Sequence, residues 1–296
     1  MRILVVGSLG FIGSHCVDFF SKEHEVWGCD VVQNCALMNY FPIDPVESDF
    51  QRLFQSQEFD VCINCSGAAS VPLSIENPSV DFELNTINVF KLLSSIRQIS
   101  PSCRFITMSS AAIYGNPESL PVRVEDKVNP VSPYGFHKVM AEMICEEFHR
   151  FWGTKTCCVR IFSAYGPRLK KQLFWDMYNK IQSEQNIVLW GTGRESRDFI
   201  YIKDLVRVIE LIIKKGSFEG EIYNVANGEQ RCIAEVAELF IKILESDTEV
   251  TFNNETRKGD PLNWEADITA IKALGYQPEY TLEEGIKEYV DWVKSI

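Results

Sequence analysis

The sequence predicts an α/β chain built on an open, doubly wound parallel sheet, with a smaller C-terminal lobe beside it. Three observations predict this. Short apolar runs that read as buried strands alternate with helical patterns through the first half. A glycine-rich turn follows the first of those runs directly. After about Tyr165 the alternation gives way to shorter, more amphipathic segments.

Arg2–Val6 (RILVV) is a continuous apolar run closed by Gly7, as expected of a strand buried on both faces. Phe11–Phe20 follows with helical spacing, and Glu25–Cys29 reads as the second strand. Phe59–Asn64 and Cys103–Met108 are further strands, separated by a helical pattern over about 80–99. Tyr134–Phe151 is a second long helix and Thr156–Phe162 the next strand. Beyond it, Gln172–Gln182 and Lys203–Lys214 read as helices, Ile187–Trp190, Phe199–Ile202 and Ile222–Val225 as strands. Cys232–Leu244 and Leu282–Val293 are amphipathic helices, and the stretch around 197–224 is expected to return to the main sheet.

Composition bounds the function. The chain has 296 residues, 29 Lys plus Arg and 41 Asp plus Glu, for a net charge of −12. That balance argues against a nucleic-acid partner or an anionic membrane surface, both of which need positive patches. It leaves room for a local basic pocket. The uncharged stretch Ile3 to Val17 is too short to span a bilayer and carries three glycines, and no secretory pattern is read; a cytoplasmic protein is expected. The ten cysteines are scattered through apolar patterns and read as reduced thiols. Cys62 and Cys65 form a C-x-x-C without a second pair, and no two histidines have metal-ligand spacing, so no metal site is expected.

Gly7-Ser8-Leu9-Gly10-Phe11-Ile12-Gly13 lies between the first strand and the first helix. Such glycines permit a tight turn, close approach of a pyrophosphate and close helix–strand packing, while the helix N-terminus offers N–H groups to phosphate. Asp30, 23 residues after Gly7 at the end of the second strand, can accept hydrogen bonds from both adenosine ribose hydroxyls, which favours NAD over NADP. Tyr134-Gly135-Phe136-His137-Lys138 is a Y-x-x-x-K at a helix start, so the phenol and the ammonium share a face. A phenol ordinarily titrates near 10, and an adjacent Lys cation together with the positive nicotinamide ring of a bound cofactor would pull it towards useful basicity. Tyr134 could then take a proton from a substrate hydroxyl. His137 points to another face and is read as structural.

The G-x-x-G-x-x-G spacing with Phe11 and Ile12 resembles the extended short-chain dehydrogenase/reductase superfamily. So do Ser109-Ser110-Ala111-Ala112-Ile113-Tyr114-Gly115 and Ser132-Pro133-Tyr134-Gly135 with Lys138. The resemblance implies a Rossmann fold, Ser110, Tyr134 and Lys138 as catalytic residues, and Ser109 as a structural or cofactor contact. It makes Asp49-Phe50 an adenine-contacting pair, although Asp49 read alone is a helix cap, and it makes Asn85 structural. Val159 to Arg168, with Ser163 where the family has Asn, resembles the R-x-x-N-x-Y-G-P segment of its nucleotide-sugar branch. Arg197-Asp198-Phe199 and Arg257-Lys258-Gly259-Asp260-Pro261 resemble segments whose arginines clamp a nucleoside diphosphate. Read singly, each arginine could be a surface ion pair.

On this resemblance, residues 1–165 with about 195–225 form the NAD-binding domain. About 166–194 with 226–296 form the nucleotide-sugar lobe. Ala111 and Ala112 stand where relatives that dehydrate or decarboxylate carry acids, which disfavours both reactions. What remains is a C4 epimerase working through a 4-keto sugar, or a reductase of an NDP-4-keto sugar. Ser70-Val71-Pro72-Leu73-Ser74 resembles a substrate-side segment of some epimerases and favours the first. A dinucleotide-binding regulatory protein without catalysis is the alternative of another class. The resemblance further implies a homodimer through the helices at 80–99 and 134–151, with Val139, Ile144 and Phe148 either forming the contact or facing the sheet.

Overall fold

A computed structural model describes residues 1–33, 38–45, 47–183, 186–255, 259 and 261–296. The first half contains β1 (Arg2–Val6), α1 (Phe11–Phe20), β2 (Glu25–Asp30), β3 (Tyr40–Pro42), α2 (Phe50–Ser56) and β4 (Val61–Asn64). There follow α3 (Val71–Glu76), α4 (Pro78–Phe82), α5 (Asn88–Ile99), β5 (Arg104–Ser110), α6 (Pro133–Trp152) and β6 (Thr156–Ile161). The rest comprises β7 (Ser163–Tyr165), α7 (Gln172–Ile181), β8 (Asn186–Leu189), β9 (Ser196–Tyr201), α8 (Ile202–Lys215) and β10 (Glu219–Val225). It ends with β11 (Gln230–Cys232), α9 (Ile233–Leu244), β12 (Glu249–Phe252), α10 (Thr269–Ala273) and α11 (Leu282–Lys294).

Seven strands form one sheet in the order β10-β6-β5-β4-β1-β2-β3, and every neighbouring pair is parallel. This is the doubly wound sheet that the strand–helix alternation predicts. Its two faces follow from the strand period of two. Ile3 and Val5 of β1 pack into one core with Cys16 and Phe20 of α1 and Leu205 and Ile209 of α8. Leu4 and Val6 pack into another with Phe54 of α2, Leu92 of α5 and Phe148 of α6. The strand order reverses between β1 and β4, and the crevice at the carboxyl ends there is where such sheets take ligands.

Of the stretch around 197–224, β10 joins the main sheet beside β6, whereas β9 does not. β9 lies between β7 and β11 in a three-stranded sheet, and β8 pairs with β12. The helical pattern over 80–99 is interrupted by a π-helical turn at Glu83–Ile87, which joins α4 to α5. On α6, Phe148 is buried, and Val139 and Ile144 pack against the cores on either side. The apolar stripe facing solvent is therefore Phe136, Met140 and Met143, spaced four and three residues apart.

Candidate active site

The glycine turn is built as its spacing predicts. Gly7 has φ +77, and a Cβ on Gly13 would lie 2.0 Å from the Gly7 carbonyl oxygen. A side chain at Gly7 would strike the Cys65–Ser66 backbone that follows β4, and one at Gly13 would push the α1 start off the turn. A Cβ on Gly10 would meet only the Gly7 oxygen, at 3.3 Å, so the space in front of this helix start is open. α1 carries no side-chain cap, which leaves its first N–H groups for a phosphate. Phe11 and Ile12 are half-buried against the core. Asp30 accepts from the Leu9 and Val31 amides, both at 2.8 Å, and is thereby fixed at the rim with acceptor capacity left for ribose hydroxyls. The cradle fits a dinucleotide. Asp49 caps α2 by accepting from the Arg52 amide at 3.1 Å, while Phe50 is buried in the core with Leu53 and Phe54.

Ser132 accepts from the Gly135 amide at 3.2 Å and Pro133 occupies the first turn, so α6 starts with Tyr134 and Lys138 on one face. Ser110 ends β5, with its Oγ accepting from the Ala112 amide at 3.2 Å. The Ser110 side chain faces the Tyr134 hydroxyl closely enough to influence its protonation. Lys138 Nζ lies 5.8 Å from the Tyr134 ring centroid and donates to the Met108 carbonyl at 2.8 Å. Ala111 and Ala112 are buried beside them.

In the protein without cofactor, burial dominates the electrostatics of the pair. Burial pushes the Tyr134 phenol up to about 12; the Ser110 side chain works downward and the charge of Asp81 upward. Burial likewise pulls Lys138 down to about 8, against the raising charges of Asp81 and Glu142. In the protein alone, desolvation outweighs the neighbouring cation.

Two features under this site were not read from the sequence. Glu142, one turn beyond Lys138, accepts from Ser109 Oγ at 2.5 Å and from Arg160 Nη2 at 2.8 Å. Arg160 Nη1 donates to the Tyr114 hydroxyl and the Val124 carbonyl, and Tyr114 donates to Asn224. The i+4 spacing from Lys138 was the signal for Glu142. His137, one position before Lys138, points away from Tyr134 to the fully buried Asp81, with Nδ1 2.6 Å from its carboxylate.

The substrate-side residues are placed as follows. Ser70 caps α3, and Ser74 donates to the Val71 carbonyl at 2.7 Å. Asn85 donates to the Ala68 carbonyl at 3.0 Å. Ser163 opens β7 and is half-buried. Arg197 donates to the Pro261 and Leu262 carbonyls at 2.9 and 3.1 Å and stacks over Trp264. Arg257 lies outside the described residues.

The sequence profile of the NAD dependent epimerase/dehydratase family matches residues 3–226. The chain belongs to this family. It is an enzyme of an NAD-dependent family. It is similar to the UDP-glucuronate 4-epimerase of Thermodesulfobacterium geofontis, 28% identical over 98% of this chain and 95% of that one. It is also similar to UDP-glucuronic acid decarboxylase 1 of Xenopus tropicalis, 27% identical over 99% of this chain and 72% of that protein. Among solved structures, the UDP-glucuronic acid 4-epimerase of Bacillus cereus in complex with UDP-glucuronic acid and NAD superposes with a TM-score of 0.91. It is 26% identical to this family member and covers 100% of this chain and 99% of its own.

Proposed function

We propose that this enzyme is an NAD-dependent nucleotide-sugar 4-epimerase. The observation that carries the reading is the meeting of Ser110, Tyr134 and Lys138 at the carboxyl end of β5, with buried Ala111 and Ala112 in place of any acid. Proton transfer at a hydroxyl needs the first three residues; elimination or decarboxylation would draw on a carboxyl group that positions 111 and 112 lack. The epimerase and decarboxylase similarities are of nearly equal strength, and these alanines weigh the choice towards epimerisation.

Bound NAD supplies a two-electron acceptor for the sugar carbon and a positive ring that favours the Tyr134 phenolate. Tyr134 accepts the proton of the C4 hydroxyl and later returns it. Ser110 holds the reacting oxygen by hydrogen bonding. Lys138 holds the cofactor ribose and keeps positive charge beside the phenol. Gly7, Gly10, Gly13 and Asp30 seat the cofactor, and Ser109 at the end of β5 supports the site through Glu142. Ser70, Ser74, Ser163 and Arg197 are assigned to the sugar and diphosphate side, where an arginine fork matches phosphate geometry, and Arg257, outside the described residues, is assigned there on sequence alone.

An epimerase interconverts C4 isomers of a nucleotide sugar without net NADH consumption. A 4-keto-sugar reductase consumes NADH stoichiometrically, and a regulatory protein binds NAD without turnover. Tyr134→Phe with unchanged activity and retained NAD binding would remove the catalytic reading. A homodimer is part of the proposal: Phe136, Met140 and Met143 on α6 and Phe90 on α5 expose apolar surface that a second copy would cover.

A further inference from the structure

Asp81, on α4, has no exposed surface. A carboxylate there needs a partner, because burial of a lone charge is costly. The partner is His137 of α6, whose Nδ1 lies 2.6 Å from Asp81 Oδ2. So short a contact at a buried carboxylate has the length of a charge-assisted bond. His137 is itself held on two further sides. Its ring meets Phe82 edge to face at 5.2 Å, and its backbone carbonyl accepts from Thr86 Oγ1 at 3.1 Å.

The second carboxylate oxygen is the informative atom. Asp81 Oδ1 is buried and has no hydrogen-bond partner among the described residues. Folded chains ordinarily satisfy such an atom, and an exception calls for an explanation. The position of the pair supplies one. His137 directly precedes Lys138 on the turn of α6 that also carries Tyr134. After burial, which pulls Lys138 down, the charge of Asp81 is the strongest influence on that ammonium, and it acts upward. The same charge adds to the upward effect of burial on Tyr134.

Lys138 Nζ donates to the Met108 carbonyl at 2.8 Å, and among the described residues no ion pair joins it to Asp81, so the carboxylate acts through its field. Around Lys138 stand Tyr134 and Glu142 on its own helix and the thiols of Cys65 and Cys158. Glu142 has a permanent cation beside it, Arg160 at 2.8 Å. Around α4, Glu83 pairs with Lys91 at 2.7 Å, and Glu76 of α3 is exposed. Asp81 has an imidazole in place of a permanent cation, which leaves its charge to act on Lys138.

We propose that Asp81, clamped by His137, is a positioning residue for the Tyr134–Lys138 pair, its buried carboxylate serving as the counter-charge that keeps the Lys138 ammonium charged. This rests on the reading of Tyr134 and Lys138 as the catalytic pair. An ammonium that lost its proton near neutral pH would no longer stabilise a phenolate beside it. A unit charge acting across about 10 Å at an effective dielectric of about 20 moves a titration by about one pH unit. Removal of the anion lowers Lys138 and Tyr134 together. Removal of the His137 donor has the same direction, because a buried carboxylate without it takes up a proton.

NMR of protein isotope-labelled at lysine Cε reads this directly, with the Lys138 signal assigned by its absence in Lys138→Met. In the cofactor-free wild type that signal should titrate near pH 8. In Asp81→Asn it should titrate about one pH unit lower. His137→Phe, which keeps a ring against Phe82 and removes the donor, should lower it as well. A Lys138 titration that stays in place or moves upward in either variant overturns the proposal. Where Asp81→Asn fails to fold, His137→Phe alone decides. Activity of the NAD-loaded enzyme on UDP-glucuronate gives a second readout. Both limbs of the pH–rate profile should move to lower pH in Asp81→Asn. A lower kcat with both limbs in place marks a purely structural role and overturns the proposal. A wild type that turns over no nucleotide sugar removes the epimerase reading, and the lysine titration still decides the role of Asp81.

Discussion

Glu142 and Arg160 form a buried ion pair, 2.8 Å between Oε2 and Nη2, one turn beyond Lys138 along the helix face that carries Tyr134 and Lys138. Both side chains are less than a tenth exposed. The same carboxylate takes the Ser109 hydroxyl, so one residue of α6 fixes the end of β5 and the guanidinium of β6 together. Glu142→Gln leaves a buried guanidinium without its counter-charge. Removal of one partner from such a pair costs about 3–5 kcal/mol. Urea denaturation of the variant should show a loss of that size; a loss below about 1 kcal/mol would mean that Arg160 finds another partner.

Lys138 carries a stability cost that its role explains. Its folded pKa of about 8 lies below the unfolded value of about 10.4. Between those values the unfolded chain holds the extra proton, so stability rises with pH from about 8 to 10.4, and below 8 the penalty is complete. Two units correspond to roughly 3 kcal/mol. Lys138→Met should therefore raise stability at pH 7 by up to about that amount, flatten the rise above pH 8, and abolish turnover. Denaturation curves at pH 7 and 10 check the sign. A destabilised variant at pH 7 would show that the Met108 hydrogen bond outweighs the desolvation.

Arg197 should matter through its fork. Its guanidinium bonds two successive carbonyls and stacks over Trp264, a shape that lysine does not reproduce. Hydrogen bonds to a charged group contribute about 1.5–3 kcal/mol. Arg197→Lys should weaken UDP binding by roughly 10- to 100-fold on that scale. Unchanged UDP affinity would return Arg197 to a purely structural role in holding the 261–264 segment.

The exposed stripe on α6 gives a direct test of assembly. Phe136 is 53% and Met143 61% exposed. Phe136→Glu with Met143→Glu should convert a dimer to a monomer in sedimentation at micromolar concentration, with the fold retained. A wild type that already sediments as a monomer removes the dimer proposal.

The parallel sheet was legible because its strands are buried on both faces and leave continuous apolar runs such as Arg2–Val6. The glycine turn and the Tyr134–Lys138 pair were legible because their chemistry depends on spacing along one element. Elements held by a few cross-chain bonds were not. β3, β7, β11 and β12 have three or four residues each, too few to show a period. The choice of face on α6 was also hidden, because apolar residues at 139, 144 and 148 and at 136, 140 and 143 are equally compatible with a helical stripe. Only the packed sheet separates them. The upward push on the phenol in the protein alone was not legible, because burial is a tertiary property.

The most direct test of the central proposal is to incubate the purified, NAD-loaded enzyme with UDP-glucuronate and UDP-glucose and follow C4 configuration by proton NMR, with NADH absorbance recorded in parallel. The account predicts approach to a mixture of C4 isomers with no net NADH change, slowed by roughly 100- to 10,000-fold in Tyr134→Phe. Stoichiometric NADH consumption with a 4-keto sugar, or NAD-loaded protein that leaves every C4 centre unchanged, would contradict it.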